Sequence, residues 1–181
     1  MSRIRTLSNE QASDNTRKLF DGVQKQLGTV PNMMRAMGNS PAVLSAYLQF
    51  SGQLANGGPS RKQRELIALA VGQANDCDYC LAAHSALGKM AGLSDEQIAD
   101  ARRGEAVDSK DDALVGLAVK LVRQQGHLSD ADLAETHEHG FGDAAIAEVV
   151  ANVALNVFTN YFNHVADTEV DFPAAPQLAV A

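Results

Sequence analysis

The chain has 181 residues, a formal net charge of −7, 45% apolar residues and 20% charged residues. That length suffices for one domain burying roughly 70% of its unfolded surface, with no disulfide or metal needed merely to hold the fold. The acidic balance argues against nucleic acid as a partner, because phosphate binding needs clustered Lys and Arg.

Helical spacing dominates from the start. Leu19, Val23 and Leu27 share one face, and Gly28 closes that segment. Pro31 and Pro41 mark helix starts, with Asn39 and Ser40 as caps. Val43, Leu44, Tyr47, Leu48 and Leu54 continue an apolar stripe up to the break at Gly57-Gly58-Pro59. Ser60 caps the next helix and Gln63 completes a capping box, with Leu66, Ile67, Ala70 and Val71 as the buried face. Asn75 and Asp76 interrupt it. A helix carrying both cysteines is expected to begin at Asp76 and to end at Gly92.

A short helix follows over Ser94 to Arg103, then an amphipathic one over Asp111 to Gln125, ended by Gly126. Ser129 caps another that ends at Gly140. Asp143 to Asp167 is the longest periodic segment. From Pro173 the tail is Pro/Ala-rich and reads as loose or as an exchanged arm. No strand pattern emerges. The expectation is an all-α protein of about eight helices, with residues 1–181 forming a single domain.

No apolar run is expected to reach the length of a membrane span. MSRIRTLSNEQASDN carries positive charge without an apolar core, so it does not read as a signal peptide. The expected location is cytoplasmic. There a structural disulfide is disfavoured, and a close cysteine pair points to redox, catalytic or metal chemistry.

The two cysteines of the chain, Cys77 and Cys80, lie in DCDYCLAAH. At a helix start, the spacing of Cys77, Cys80 and His84 puts all three on one side. The positive helix terminus favours thiolate over thiol. A CxxC pair closes a disulfide with little backbone change, and a His one turn on can accept a proton. Glu65, twelve residues before Cys77 on the preceding helix, reaches the same pocket if the two helices run antiparallel, and sits where a general base could act.

Two other readings of the same residues exist. Cys77 and Cys80 could be small buried side chains. C-x2-C-x3-H could also supply three zinc ligands, with Glu65, His137 or His139 as a fourth. One continuous helix would spread those ligands along about 10 Å of rise, whereas tetrahedral zinc prefers a knuckle and a separate helix, so no metal is assigned. His127, His137 and His139 lie near helix ends and read as structural. His164 is a candidate to line the pocket from the last helix. Met33, Met34, Met37 and Met90 read as core or interface residues. The segments RELIALAVGQAN and IAEVVANVALNV each set a Glu before small apolar residues, a faint internal echo.

Glu65, Cys77, Cys80 and His84 at these spacings resemble the signature of the alkyl hydroperoxidase AhpD family, within the carboxymuconolactone decarboxylase superfamily. SALGKMAGLSDEQI and NVALNVFTNYFNHVADTEVDFP extend the resemblance, to the peroxidase-related branch, over roughly Thr29 to Pro173. It implies an AhpD-like helical bundle and a thiol-dependent peroxidase acting on hydrogen peroxide or organic hydroperoxides. It further implies that Cys80 attacks the peroxide and Cys77 resolves the sulfenic acid as a redox-active disulfide, with Glu65 and His84 as proton relay. The pair itself would be the redox group, with no other cofactor. A lipoyl or thioredoxin-like dithiol protein would be the reductant. The assembly would be a homo-oligomer, a dimer, trimer or hexamer.

One position departs from the family pattern. The best-known AhpD enzymes carry a His immediately before the second cysteine, and here that residue is Tyr79. A phenol with a pKa of about 10 is no substitute for imidazole as a neutral-pH base, though it can donate a hydrogen bond or hold a water. Two alternatives follow for function: a lyase of the carboxymuconolactone decarboxylase type, and a redox sensor that uses the disulfide as a switch.

Overall fold

The computed structural model describes residues 2–178. Among them lie nine helices and no strand: α1 (Asp14–Leu27), α2 (Asn32–Met37), α3 (Pro41–Leu54), α4 (Arg61–Ala74), α5 (Asp78–Met90), α6 (Asp95–Arg103), α7 (Ser109–Arg123), α8 (Asp130–Glu138) and α9 (Asp143–Ala166). The all-α expectation holds, and the expected helix count rises from about eight to nine. α2 follows Pro31, the expected helix start and its N-cap; it is only six residues long, and Met33, Met34, Ala36 and Met37 are all buried.

The predicted stops are physical ones. Ser60 and Gln63 form the full capping box on α4, as do Ser94 and Gln97 on α6. Gly28 ends α1 at φ 78°, the left-handed conformation that favours glycine. Some boundaries shift, and α7 ends at Arg123 rather than Gln125. α7 begins at Ser109, because Asp108 caps it by accepting from Lys110 and Asp111 N–H. α5 begins at Asp78, because the α4–α5 turn uses Asp76 at φ 52°.

Two apolar clusters fill the interior. One joins α4, α6, α7 and α9 through Ile67, Leu69, Val71, Ile98, Leu114, Val115 and Val149. The other joins α1, α2, α3 and α5 through Phe20, Met37, Leu44, Tyr79, Cys77 and Cys80. α4 and α5 run antiparallel: Gly72 lies against Cys80 and Leu81, and at the other end Lys62 lies against Gly92.

α9 corrects the membrane expectation. Its 24 residues, with a mean hydropathy of 1.2, are long and apolar enough to cross a membrane by length and composition alone. It packs one face against α3, α4, α5 and α7, however, and buries Asn152, Asn156, Thr159, Asn160 and Asn163 there, while Phe158, Tyr161 and Val165 stay exposed. The faint echo between α4 and α9 ends in different roles for the two glutamates, since Glu148 Oε2 accepts from Gly58 N–H at 2.8 Å and pins the α3–α4 loop. In the tail, Arg102 Nη1 donates to Pro176 O, and the last part of the expected arm, 179–181, lies outside the described residues.

Candidate active site

Cys77 is the N-cap of α5 rather than a residue of its first turn. Its Sγ accepts from Cys80 N–H at 3.4 Å, and its own N–H donates to Gly72 O at 2.9 Å. The two sulfurs are joined as a disulfide across a Cα–Cα distance of 5.3 Å. Both stand at the positive end of α5, where a thiolate is favoured. Both side chains are buried, at 1% and 3% exposure.

They are not equally placed. A cavity of about 790 Å3 lies between α1, α3, α4, α5 and α9, and its wall includes Cys80 but not Cys77. Glu65 and His84 line the same cavity. His84 Nδ1 and Glu65 Oε2 stand 2.8 Å apart, with side chains 23% and 14% exposed. With the carboxylate accepting, Nδ1 holds the proton and Nε2 is left for other partners. Glu65 therefore pairs with His84, across the antiparallel α4–α5 pair, and with neither Arg61 nor Arg64.

Tyr79 is tied down. Its hydroxyl donates to Asp171 Oδ1 at 2.8 Å and accepts from Met33 N–H at 3.2 Å. Its ring meets Phe172 edge-on. Burial pushes the phenol well above its ordinary pKa, the Met33 N–H opposes this, and the Asp171 carboxylate adds to the rise. Tyr79 thus holds α2 and the C-terminal segment against α5 and does not act as a base. Tyr47, also on the cavity wall, is pushed up to about 12 by desolvation and then by the Glu65 charge.

His164 requires a correction. It is exposed and absent from the cavity wall, because its neighbour Asn163 takes the inward face of α9. Asn163 Nδ2 donates to Cys80 Sγ at 3.3 Å and contacts Met33 Sδ at 3.4 Å. Asn163 is the site residue that sequence reasoning missed. His137 Nδ1 meets Phe141 O at 2.8 Å, and His139 caps α8, both structural positions. Among the described residues no group of three or more His, Cys, Asp or Glu converges to hold a metal ion.

The carboxymuconolactone decarboxylase family model matches residues 41–124, the span from α3 through α7 that contains Glu65, Cys77, Cys80 and His84. Over that span the chain is similar to the carboxymuconolactone decarboxylase family. No curated protein matches the sequence. Solved structures share the fold over nearly the whole chain. A peroxidase-related protein with an AhpD core from Ralstonia eutropha has a TM-score of 0.86 at 23% identity, covering 94% of this chain and 92% of its own. A peroxidase-related protein from Silicibacter has a TM-score of 0.83 at 24% identity, covering 97% and 94%. The debrominase Bmp8, as a C82A variant in complex with 2,3,4-tribromopyrrole, has a TM-score of 0.80 at 18% identity, covering 94% and 92%. The AhpD-like fold therefore extends beyond the segment that the family model matches, and it brings in α9 with Asn163.

Proposed function

We propose that this AhpD-like protein is a thiol-dependent peroxidase that turns over through the Cys77–Cys80 pair. In the reduced form, Cys80 thiolate attacks the distal oxygen of a hydroperoxide. The O–O bond breaks, Cys80 becomes a sulfenic acid, and the leaving alkoxide takes a proton to depart as an alcohol. His84 supplies that proton through Nε2, while Glu65 holds the ring by Nδ1 and stabilises the imidazolium. Cys77 thiol then attacks the Cys80 sulfur, water leaves, and the disulfide forms. A dithiol reductant of lipoyl or thioredoxin-like type returns both thiols. Its attack releases sulfur at the positive end of α5, where the departing thiolate is favoured.

The observation that carries this reading is that Cys80, Glu65 and His84 share one cavity while Cys77 stands behind it. That asymmetry matches an attacking and a resolving sulfur. Steady turnover of an organic hydroperoxide with dihydrolipoamide tests it, with alcohol formed in equal amount to dithiol consumed.

A second reading has its own support. Tyr79 is fixed by Asp171 and Met33 and offers no base beside Cys80. Prompt disulfide formation without turnover by dithiols would make the pair a redox switch. A debrominase shares the fold, so a brominated pyrrole belongs in the same assay, where bromide release would assign reductive dehalogenation instead.

A further inference from the structure

The cavity has a direction. Cys80 and Met90 both line it, ten residues apart on α5, which is about 15 Å of helix. Antiparallel to them on α4, Ala68 lies toward the Cys80 end and Arg61 toward the other. The Cys80 end is buried at 3% exposure, whereas Met90 is 69% exposed and marks the mouth. Between them the wall is largely apolar, with residues such as Val23, Met34, Leu48 and Leu87, and carries Glu65, His84, Asn152 and Asn156 as polar groups.

The charge at this cavity runs against that of the chain. Its wall contains Lys18, Arg61 and Arg64 with a single carboxylate, Glu65, which His84 engages. The whole chain carries −7. Among the described residues none of these three cations pairs with a carboxylate, and Arg64 uses only Nη1, donating to Pro59 O at 2.6 Å. Lys18 and Arg61 are exposed. Cations without a carboxylate partner on the wall of a largely apolar channel, Arg61 among them toward the mouth, fit a ligand with one anionic end and a long apolar body.

We propose that the cavity binds a long-chain carboxylate, its head at Lys18, Arg61 and Arg64 and its chain directed toward Cys80. Resting on the peroxidase reading, this makes the substrate a fatty-acid-type hydroperoxide, with the peroxide group carried along the chain rather than at the carboxyl end.

Two measurements separate the parts. The first is calorimetric titration of the oxidised protein with a hydroxy fatty acid and with its methyl ester, neither of which reacts. The acid is expected to bind about tenfold more tightly than the ester, as loss of one charge-assisted contact implies. Arg61→Gln and Lys18→Gln are each expected to narrow that ratio, and added salt is expected to do the same. Equal affinity for acid and ester, or binding of neither, overturns the proposal. The second is disulfide formation in the reduced protein with linoleic acid hydroperoxide, its methyl ester and cumene hydroperoxide. Faster reaction of the acid supports the substrate assignment. If the acid binds preferentially but no hydroperoxide oxidises Cys80, the carboxylate site stands and the peroxidase reading falls.

Discussion

Asn163 reaches from α9 to donate its side-chain amide to Cys80 Sγ at 3.3 Å, so the buried sulfur facing the cavity has a hydrogen-bond donor on the helix opposite its own. A donor aimed at sulfur stabilises the thiolate over the thiol. The remaining polar atom, Asn163 Oδ1, has no partner, so the amide is held by sulfur contacts alone.

Asn163→Leu is therefore expected to raise the Cys80 thiol pKa in the reduced protein. Hydrogen bonds to charged groups contribute about 1.5–3 kcal/mol, which corresponds to a loss of about tenfold or more in thiolate fraction near neutral pH. The pH profile of Cys80 alkylation, read by peptide mass, checks this. An unchanged profile would show that Asn163 only fills space.

In the proposed mechanism the Glu65–His84 pair sets the proton supply. Glu65→Gln keeps the size and the acceptor oxygen but removes the charge that stabilises the imidazolium. The rate of Cys80 oxidation by an organic hydroperoxide is expected to fall by about 10²-fold, the lower end for general acid–base catalysis. Stopped-flow kinetics on reduced protein give the number, and a rate within a factor of two of wild type would remove Glu65 from the relay.

Tyr79 shows what its departure from the family pattern does. Tyr79→Phe strands the buried Met33 N–H and takes the donor from Asp171, so stability is expected to drop by about 1–3 kcal/mol. Urea unfolding measures the loss. The oxidation rate of Cys80 in the folded variant is expected to stay close to wild type, because the phenol holds the segment and carries no proton.

The same phenols set the alkaline limit. Tyr47 titrates at about 12 in the folded chain against about 10 when unfolded. Between those values the unfolded state has lost the proton and the folded state has kept it. Its contribution is therefore fully present below pH 10 and lost as pH rises toward 12. Tyr79 shifts in the same direction. Unfolding midpoints in urea are expected to fall with pH in this window, and less steeply in Tyr47→Phe. Parallel slopes for the two proteins would exclude Tyr47 as a source.

Packing makes a sharper demand at Gly38. A Cβ there would stand 2.6 Å from Phe20 Cζ and 2.8 Å from Thr16 Cγ2, and Phe20 is fully buried. Gly38→Ala is expected to destabilise by about 1–3 kcal/mol. At Gly116, inside α7, nothing lies within 4 Å of an added Cβ, and Gly116→Ala is expected to stabilise by about 0.5–1 kcal/mol. Thermal unfolding of the two variants should move in opposite directions.

What could be read from the sequence follows from how local each signal is. Ser60 with Gln63, and Gly28 after Leu27, are decided within a few residues, and the structure keeps them. Glu65, Cys77, Cys80 and His84 were legible because one helical hairpin holds all four. α2 shows only its start, at Pro31, since four buried residues in six leave no periodicity to detect. The contrast between His164 and Asn163 is the most instructive. The imidazole is the stronger chemical signal, but one residue on a helix is a turn of about 100°. Which of the two faces Cys80 depends on how α9 packs against α5, a long-range contact that no local pattern records.

The most direct test of the central claim is the intact mass of the reduced protein after one equivalent of an organic hydroperoxide. The predicted result is prompt loss of two hydrogens in the wild type, gain of one oxygen in Cys77→Ser, and no change in Cys80→Ser. An unchanged wild-type mass, with both thiols still open to alkylation after unfolding, would contradict a peroxidase that works through Cys80.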